Sequence, residues 1–262
     1  MLSVQIVHYS LLKKRFAYLN HLQLCFKKNF VTEKDIDITS LKYVHTEKVF
    51  GLNPKRFGFN LGINARSLKS TRREATLEGF RLICIAILFP ELRFIATGSI
   101  PKFSIMSKNQ LELSAMHLQA IRAGLNSNKE WILVLEDDAI LNRDFEKEIM
   151  SILTKYKHKK RIFINLNSGA GMSRTSSDPK PDEHGIYRVS PIGVRCTTAY
   201  LINRETAECL DLLFAEYGIQ DWLPIDVHIQ IALQKIRAKS YWQDPPLFSQ
   251  GSEDGSYKSN LR

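Results

Sequence analysis

The segment Trp131-Ile132-Leu133-Val134-Leu135-Glu136-Asp137-Asp138 decides the fold, because five apolar residues lead directly into three consecutive carboxylates. An apolar run of this length predicts a strand that is buried on both faces. Three adjacent acids repel one another, and oxygen ligands at this density suit a hard divalent cation such as Mg²⁺ or Mn²⁺. Because open α/β sheets bind ligands beyond the carboxyl ends of their strands, the segment predicts a metal-assisted active site.

Strands and helices are predicted to alternate on both sides of this segment. The expected strands are 4–9, 161–166 and 197–202, and the expected helices are 15–30, 111–125, 144–156, 204–214 and 224–236. This alternation predicts an α/β fold with a mostly parallel central sheet flanked by helices. Nothing marks a linker, so residues 1–262 are expected to form a single domain. Within it, 31–110 are harder to interpret, with a helix expected at 72–89 and a strand at 93–97, and 250–262 form a polar tail.

The composition is that of a basic globular protein. The chain has 262 residues, of which 44% are hydrophobic and 24% charged, and its net charge is +10. Such a surplus favours an anionic partner, namely nucleic acid, an acidic membrane surface or a phosphorylated small molecule. The densest basic runs are 155–161 and 55–73. They are commonly solvated faces, but they could also hold the protein against anionic lipid.

Other patterns limit the classes of protein. The four cysteines lie far apart and lack zinc-like spacing, no segment is long and apolar enough to span a bilayer, and the first residues do not resemble a signal peptide. These features predict a cytoplasmic protein with reduced thiols, able to sit peripherally at the cytoplasmic membrane face. No RNP-like, helix-turn-helix or zinc-finger pattern is present, so no nucleic acid is expected as a partner.

The three acids admit several interpretations. On an extended chain, Glu136 and Asp138 are expected to share one face and Asp137 the other. An acid-x-acid pair on one face can hold a cation that also binds a diphosphate. The alternatives are a solvated turn after the strand, or the site of a metal-dependent phosphoesterase, which would be expected to need further His or Asp ligands at recognisable spacing.

The sequence from Leu113-Ser114-Ala115-Met116-His117 through 131–139 resembles glycosyltransferase family 25. That family includes bacterial lipooligosaccharide galactosyltransferases and the collagen galactosyltransferases. Its members read Ser-His, then a helix, then an apolar strand ending in Glu-Asp-Asp. His117 falls at the family's histidine and Glu136-Asp137-Asp138 match without change, whereas Met116 replaces the serine before the histidine.

Further matches follow in the family's order. The first strand of the family ends in Asn-Leu, which His8-Tyr9 replace here, and Arg15 lies at the family's spacing from it. The family's Ala-Tyr-Leu-Ile strand matches 199–202, and its Pro-Val-Asp motif appears as Pro224-Ile225-Asp226. A late pattern of proline, glutamine and serine resembles Pro245 or Pro246, Gln250 and Ser256. The resemblance extends over roughly residues 111–256.

The resemblance implies a GT-A glycosyltransferase with a single α/β domain and a Mn²⁺ (or Mg²⁺) ion that holds the diphosphate of a UDP-sugar. It implies transfer of a sugar to a glycan or lipid-linked glycan acceptor, as in lipopolysaccharide biosynthesis. The first candidate for that sugar is galactose, supplied by UDP-galactose. The implied metal ligands are Asp138 and Glu136. The implied donor-binding residues are His8, Tyr9, Arg15, His117, Glu136, Asp137 and Gln250.

The family is generally inverting, which implies a general base, and Asp226 is the candidate. A helix N-terminus favours the carboxylate form, so Asp226 is expected to stay ionised. The plainer interpretations are a helix-stabilising charge for Asp226, a surface cation for Arg15 and a core histidine for His117. The competing functions are a basic nucleic-acid-binding protein and a catalytically inactive scaffold.

Overall fold

The structure of the protein is a computed structural model. The residues that it describes are 2–8, 15–29, 36–41, 108–167, 174, 176, 178–190, 196–217, 224–252 and 255–257. The helix predicted at 72–89, the strand predicted at 93–97 and the basic run 55–73 lie outside the described residues.

Within these residues the protein is an α/β structure, as predicted. The strands are β1 (Leu2–Val7), β2 (Ile36–Leu41), β3 (Trp131–Glu136), β4 (Ala139–Leu141), β5 (Ile162–Asn165), β6 (Ile186–Val189), β7 (Ala199–Asn203), β8 (Lys239–Gln243) and β9 (Phe248–Gln250). The helices are α1 (Phe16–Asn29), α2 (Lys108–Asn126), α3 (Phe145–Tyr156), α4 (Arg204–Tyr217) and α5 (Ile225–Lys235). The predicted elements that fall on described residues are confirmed, with their ends shifted by a few residues.

Among the described residues, seven strands form one sheet in the order β2-β1-β3-β7-β5-β8-β6, and β4 pairs with β9 in a separate ribbon. Five of the seven strands point the same way, and β7 and β6 run against them. Half of the six pairings are therefore antiparallel, and the sheet is mixed rather than mostly parallel. The reason is that β7 lies between β3 and β5 and is antiparallel to both.

The central strand β3 is buried on both faces, as its apolar run predicts. Leu133 and Leu135 pack with α1 and α3 on one face, whereas Ile132 and Val134 pack with α2, α4 and α5 on the other. Complete burial of an aliphatic side chain of this size is worth about 1.5–3 kcal/mol. The acids that follow β3 are thus held on a rigid, doubly covered strand.

Two local features fix the helices beside the site. Asp144 caps α3 by accepting a hydrogen bond from Lys147 N at 3.2 Å, which satisfies one of the open amides of the first turn. Helix α2 lies directly on β3, since a Cβ on Gly124 would come within 2.5 Å of Ile132 Cγ2. Glycine at 124 therefore permits the close approach that brings His117 to the sheet.

Strand β8 is one of the strands that the sequence did not predict. Polar side chains such as Ser240 and Gln243 of β8 are buried, so this strand lacks an alternating or continuous apolar pattern. Its backbone is ordered instead by pairing with β5 and β6. Non-local pairing of this kind leaves no local sequence signal.

No helix among the described residues is long and apolar enough to cross a membrane. Cys196 and Cys209 form no disulfide and are partly exposed.

Candidate functional site

The acid cluster lies at the point where the strand order reverses. From β1 the chain reaches β2 on one side and later β3 on the other side. In α/β sheets, ligands bind in the crevice beyond the carboxyl ends of the two strands that flank such a reversal. Those ends carry His8 after β1 and Glu136, Asp137 and Asp138 at the end of β3.

Asp137 joins the ends of β1 and β3 to the start of α1. Its Oδ2 lies 2.7 Å from His8 Nδ1, and its Oδ1 accepts a hydrogen bond from Arg15 Nη1 at 2.6 Å. The Asp137 side chain is 0% exposed. Because both carboxylate oxygens are engaged, Asp137 positions His8 and Arg15 in this arrangement. Because a carboxylate only accepts, His8 Nδ1 is the donor of this contact. The buried Nε2 of His8 has no hydrogen-bond partner among the described residues.

The Arg15–Asp137 pair is expected to be a major stabilising contact. Removing one member of a buried ion pair leaves the other charge without compensation, which costs about 3 kcal/mol or more. We expect Arg15→Gln to lower the free energy of unfolding by that amount in urea titrations. Arg122→Gln is the matched control, since it breaks a pair of similar length with Asp211 whose side chains are 33% and 32% exposed. Its expected cost is below about 1 kcal/mol, and equal losses would contradict a special role for Arg15.

Glu136 is held by a second set of contacts on the opposite side of the strand end. Its Oε1 accepts a hydrogen bond from Thr197 Oγ1 at 2.9 Å and lies 3.4 Å from His117 Nε2. His117 Nδ1 is in turn 3.2 Å from the hydroxyl of Tyr200, and His117 is completely buried. Burial alone would raise the pKa of Glu136, but the hydrogen bonds and charges of its partners, chiefly His117, hold the pKa below its usual value. Glu136 is therefore maintained as a carboxylate.

Asp138 is the acid that lacks full compensation. Burial and the negative charge of Glu136 raise the pKa of Asp138 to about 7, against the opposing effects of Arg15 and a hydrogen bond from Ser252. Arg15 Nη2 is 3.8 Å from Asp138 Oδ2, too far for a strong contact. Asp138 Oδ1 is buried without a hydrogen-bond partner in the described part of the chain. A positive group placed at Oδ1 would offset the repulsion between Asp138 and Glu136 and would supply the missing contact.

The chain beyond β9 encloses Asp138. Gly251 N donates to the backbone oxygen of Asp138 at 2.9 Å, and Tyr257 N donates to Gly251 O at 2.7 Å. The ring of Tyr257 lies where a Cβ on residue 251 would be, and it stacks on Tyr18 of α1 with centroids 3.7 Å apart. Gln250 pairs with Ala139, and its Oε1 is buried without a hydrogen-bond partner among the described atoms. A second oxygen suited to a cation or a polar ligand is thus present on the residue that pairs with Ala139, which directly follows the acids.

Asp226 lies in the first turn of α5 and belongs to the same electrostatic environment as the acids. Its pKa is raised, first by loss of water contact and then by the negative charge of Glu136, whereas a hydrogen bond from Val227 N at 2.9 Å and the charge of His117 lower it. The preference of a helix N-terminus for the carboxylate form is only one of the effects that act on Asp226. Desolvation outweighs the helix here, and the result is a more basic carboxylate.

The oxygen set fits a divalent cation shared with a ligand. In the described residues no three Asp, Glu, His or Cys side chains converge in a ready-made cage. Mg²⁺ and Mn²⁺ do not require one, because they are commonly held by one or two carboxylates together with phosphate oxygens and water. Asp138 Oδ1 fits this role, whereas both carboxylate oxygens of Asp137 are already engaged by His8 and Arg15. Glu136 could join only by giving up part of its contact with Thr197 or His117.

The structure brings most of the residues proposed from sequence to one edge of the sheet. His8, Arg15, His117, the three acids, Asp226 and Gln250 lie at or beside this edge, and Tyr9 is outside the described residues. Asp137 and Asp138 both face Arg15, at 2.6 and 3.8 Å. The expected alternation of side chains therefore does not extend past Glu136, because the strand ends there and a turn begins.

Sequence reasoning missed the residues that support the acids. Thr197 and Tyr200 hold Glu136 and His117, and Ser252 reaches Asp138. Asn165 and Asn167 bind the backbone oxygen of Cys196 and thereby fix the entry to β7. Of these residues, only the asparagines could have been found from the sequence, because they are polar residues at or just beyond the end of the strand Ile162–Asn165.

No protein-family profile matches the chain, and no curated protein sequence is significantly similar to it.

Proposed function

We propose that the protein is a metal-dependent, inverting GT-A glycosyltransferase that moves a sugar to a glycan acceptor such as lipooligosaccharide. The first candidate for the donor is UDP-galactose, which would supply galactose. The proposal is supported by the ordered sequence resemblance and by the position of the acids at the reversal of strand order, where nucleotides bind in α/β sheets.

The observation that carries the proposal is the state of Asp138. It is a buried carboxylate with an unpartnered oxygen, and its pKa is raised to about 7 by burial and by Glu136. A structural acid would be expected to have its hydrogen bonds satisfied. A perturbed acid in a crevice, beside two acids whose charges are largely compensated by their partners, is typical of a binding or catalytic site.

The proposed roles follow from the contacts of each residue. A divalent cation, when bound, would offset the charge that develops on the departing nucleoside diphosphate. Asp138 would hold that ion, and Gln250 Oε1, which is buried without a hydrogen-bond partner among the described residues, is a candidate for a further oxygen ligand. Asp137 would hold His8 and Arg15 against the nucleoside side of the crevice. Glu136, fixed by His117 and Thr197, would keep the local field negative beside the cation.

The transfer step places the proton on Asp226. The acceptor oxygen forms a bond to the anomeric carbon while the bond from that carbon to the diphosphate oxygen breaks, and the diphosphate leaves with the bonding electrons. The proton of the acceptor hydroxyl passes to the carboxylate of Asp226. The raised pKa of Asp226 suits this step, because a more basic carboxylate takes the proton more readily.

Calorimetric titration tests the proposal directly. UDP-galactose, UDP-glucose and UDP-N-acetylglucosamine would be titrated into the protein with Mn²⁺ and with EDTA. We expect at least one donor to bind only when Mn²⁺ is present. Absence of metal-dependent binding across the panel would exclude the transferase and favour an inactive scaffold.

A further inference from the structure

The amino-terminal edge of the sheet, opposite the acid cluster, carries a dense group of exposed cations. Two segments form it: 157–161, which precede β5, and 235–239, which end α5 and begin β8. They contain seven Lys and Arg residues and no Asp or Glu. All seven are exposed: Lys157, Lys159, Lys160, Arg161, Lys235, Arg237 and Lys239. We name these two segments the cationic edge.

The two segments are joined by hydrogen bonds into one surface. Lys239 N donates to Arg161 O at 2.7 Å, and Arg161 Nη1 donates to Ile236 O at 2.9 Å. Like charges are therefore held side by side by the fold rather than brought together by chance in flexible tails. Lys155, which belongs to the same run in sequence, is excluded because it pairs with Asp182 at 2.8 Å and with Glu183 at 3.2 Å.

Neighbouring acids do not cancel this charge. The adjoining segments at 129–130 and 204–208 add two cations and three acids: Lys129, Arg204, Glu130, Glu205 and Glu208. Nine cations against three acids leave a surplus of six, more than half of the chain's net charge of +10. Glu205 pairs with Arg161 at 3.2 Å in an exposed contact, which water and salt weaken.

Two of the arginines occupy backbone positions that ordinarily favour glycine or asparagine. Arg161 has φ 51° and Arg237 has φ 55°. Arg237 directly follows the C-cap of α5, where a left-handed residue commonly ends a helix. Arg161 lies four residues beyond the C-cap of α3, where a left-handed conformation is uncommon for a long side chain. Both arginines lie on the cationic edge.

We propose that the cationic edge is a docking surface for an anionic lipid bilayer, and that docking there directs the acid cluster away from the membrane. The length of β3, six residues, places the two edges of the sheet about 20 Å apart. An acceptor used by the docked protein must therefore extend that far from the headgroups. The docking itself does not depend on the proposed glycosyltransfer.

The chemistry of the edge favours lipid phosphates over nucleic acid. Five of the seven cations are lysines, which act as point charges towards a diffuse anionic surface. Between them the two segments contain no Phe, Trp or Tyr on which a base could stack. The cations also lie on turns at strand starts, and a planar bilayer can meet several of them at once.

Vesicle flotation tests the proposal with the full chain. Phosphatidylcholine vesicles would be compared with vesicles that also contain phosphatidylglycerol, for the parent protein and for Lys157→Gln/Lys159→Gln/Lys160→Gln. We expect binding only to the anionic vesicles, and a loss of roughly 100-fold in partition coefficient in the triple variant. Lys147→Gln/Arg174→Gln/Lys180→Gln is the matched control, because it removes the same charge from exposed positions elsewhere and should bind within about threefold of the parent.

Three results would overturn the proposal: equal binding to neutral vesicles, equal losses in the two triple variants, or an oligonucleotide that binds more tightly than the vesicles and depends on the same three lysines.

Hydrogen exchange tests the orientation separately. On anionic vesicles, amides in 157–161 and 235–239 should exchange more slowly, whereas those in 249–252 should not change. Protection of 249–252 would show that the site faces the membrane, and would refute the orientation.

Discussion

Replacement of Asp138 by asparagine is expected to abolish metal-dependent donor binding and, at the same time, to stabilise the metal-free protein above neutral pH. The folded protein holds the pKa of Asp138 at about 7, because burial and the charge of Glu136 disfavour the carboxylate. In the unfolded chain an aspartate has a pKa near 3.9. Between these values the folded state binds a proton that the unfolded state has released, so stability falls as the pH rises through this window.

The size of the effect follows from the width of the window. At about 1.4 kcal/mol per pH unit, the free energy of unfolding falls by roughly 4 kcal/mol between about pH 4 and pH 7. Asp138→Asn removes this loss, so the variant should exceed the parent in stability at about pH 8 and show little advantage at about pH 4. Urea denaturation in EDTA at the two pH values measures the difference.

Addition of Mn²⁺ should narrow the difference in stability between parent and variant at about pH 8. A ligand that binds only the folded state at a hundred times its dissociation constant adds about 2.7 kcal/mol, and we expect this gain in the parent alone. In calorimetry the variant should bind UDP-galactose no better with Mn²⁺ than with EDTA. A variant that keeps metal-dependent binding would show that Asp138 is not the metal ligand. A variant less stable than the parent at about pH 8 in EDTA would contradict the raised pKa.

Replacement of Asp226 by asparagine is expected to leave donor binding unchanged and to lower the rate of transfer by about 10²–10⁴-fold. Asparagine preserves the size of the side chain and its acceptor oxygen for Val227 N, but it cannot take a proton from the acceptor hydroxyl. The expected result is therefore a fall in kcat with a donor affinity close to that of the parent. Calorimetry with UDP-galactose and a transfer assay measure the two quantities on the same preparations.

Glu205→Gln is the matched control for Asp226. Glu205 is also an acid in the first turn of a helix, but it lies at the opposite edge of the sheet, and its replacement should leave kcat unchanged. Because the pKa of Asp226 is raised, kcat of the parent should increase with pH as that carboxyl ionises. Retained turnover in Asp226→Asn would remove Asp226 as the base while leaving the donor site intact.

The parts of the fold that could be predicted from sequence are those with a local cause. β3 follows from an unbroken apolar run, and α3 follows from Asp144 at its cap, acids in its first turn and a lysine in its last. β8 and β6 could not be predicted, because their strand character comes from pairing with each other and with β5. The insertion of β7 between β3 and β5, which makes the sheet mixed, likewise has no local signal.

The candidate site, like the fold, could be predicted from the sequence only in part. The sequence placed three acids at the end of a buried strand, and it singled out His8, Arg15, His117 and Asp226 as residues to be brought near them. The separate roles expected for Asp137 and Asp138 came from the family resemblance, because the two residues are chemically identical neighbours. Asp137 is compensated by His8 and Arg15, which lie 129 and 122 residues away in the chain.

The sequence by itself determined that the strand 131–136 is buried and ends in concentrated negative charge, because hydrophobicity and charge belong to the residues themselves. Only the tertiary structure decided which of these charges is satisfied and which has a buried oxygen without a hydrogen-bond partner among the described residues. A carboxylate's pKa and contacts depend on how much water it loses and which groups the fold brings within a few ångströms. For Asp137 those groups are a histidine and an arginine, whereas Asp138 has a distant arginine, a serine and a neighbouring acid.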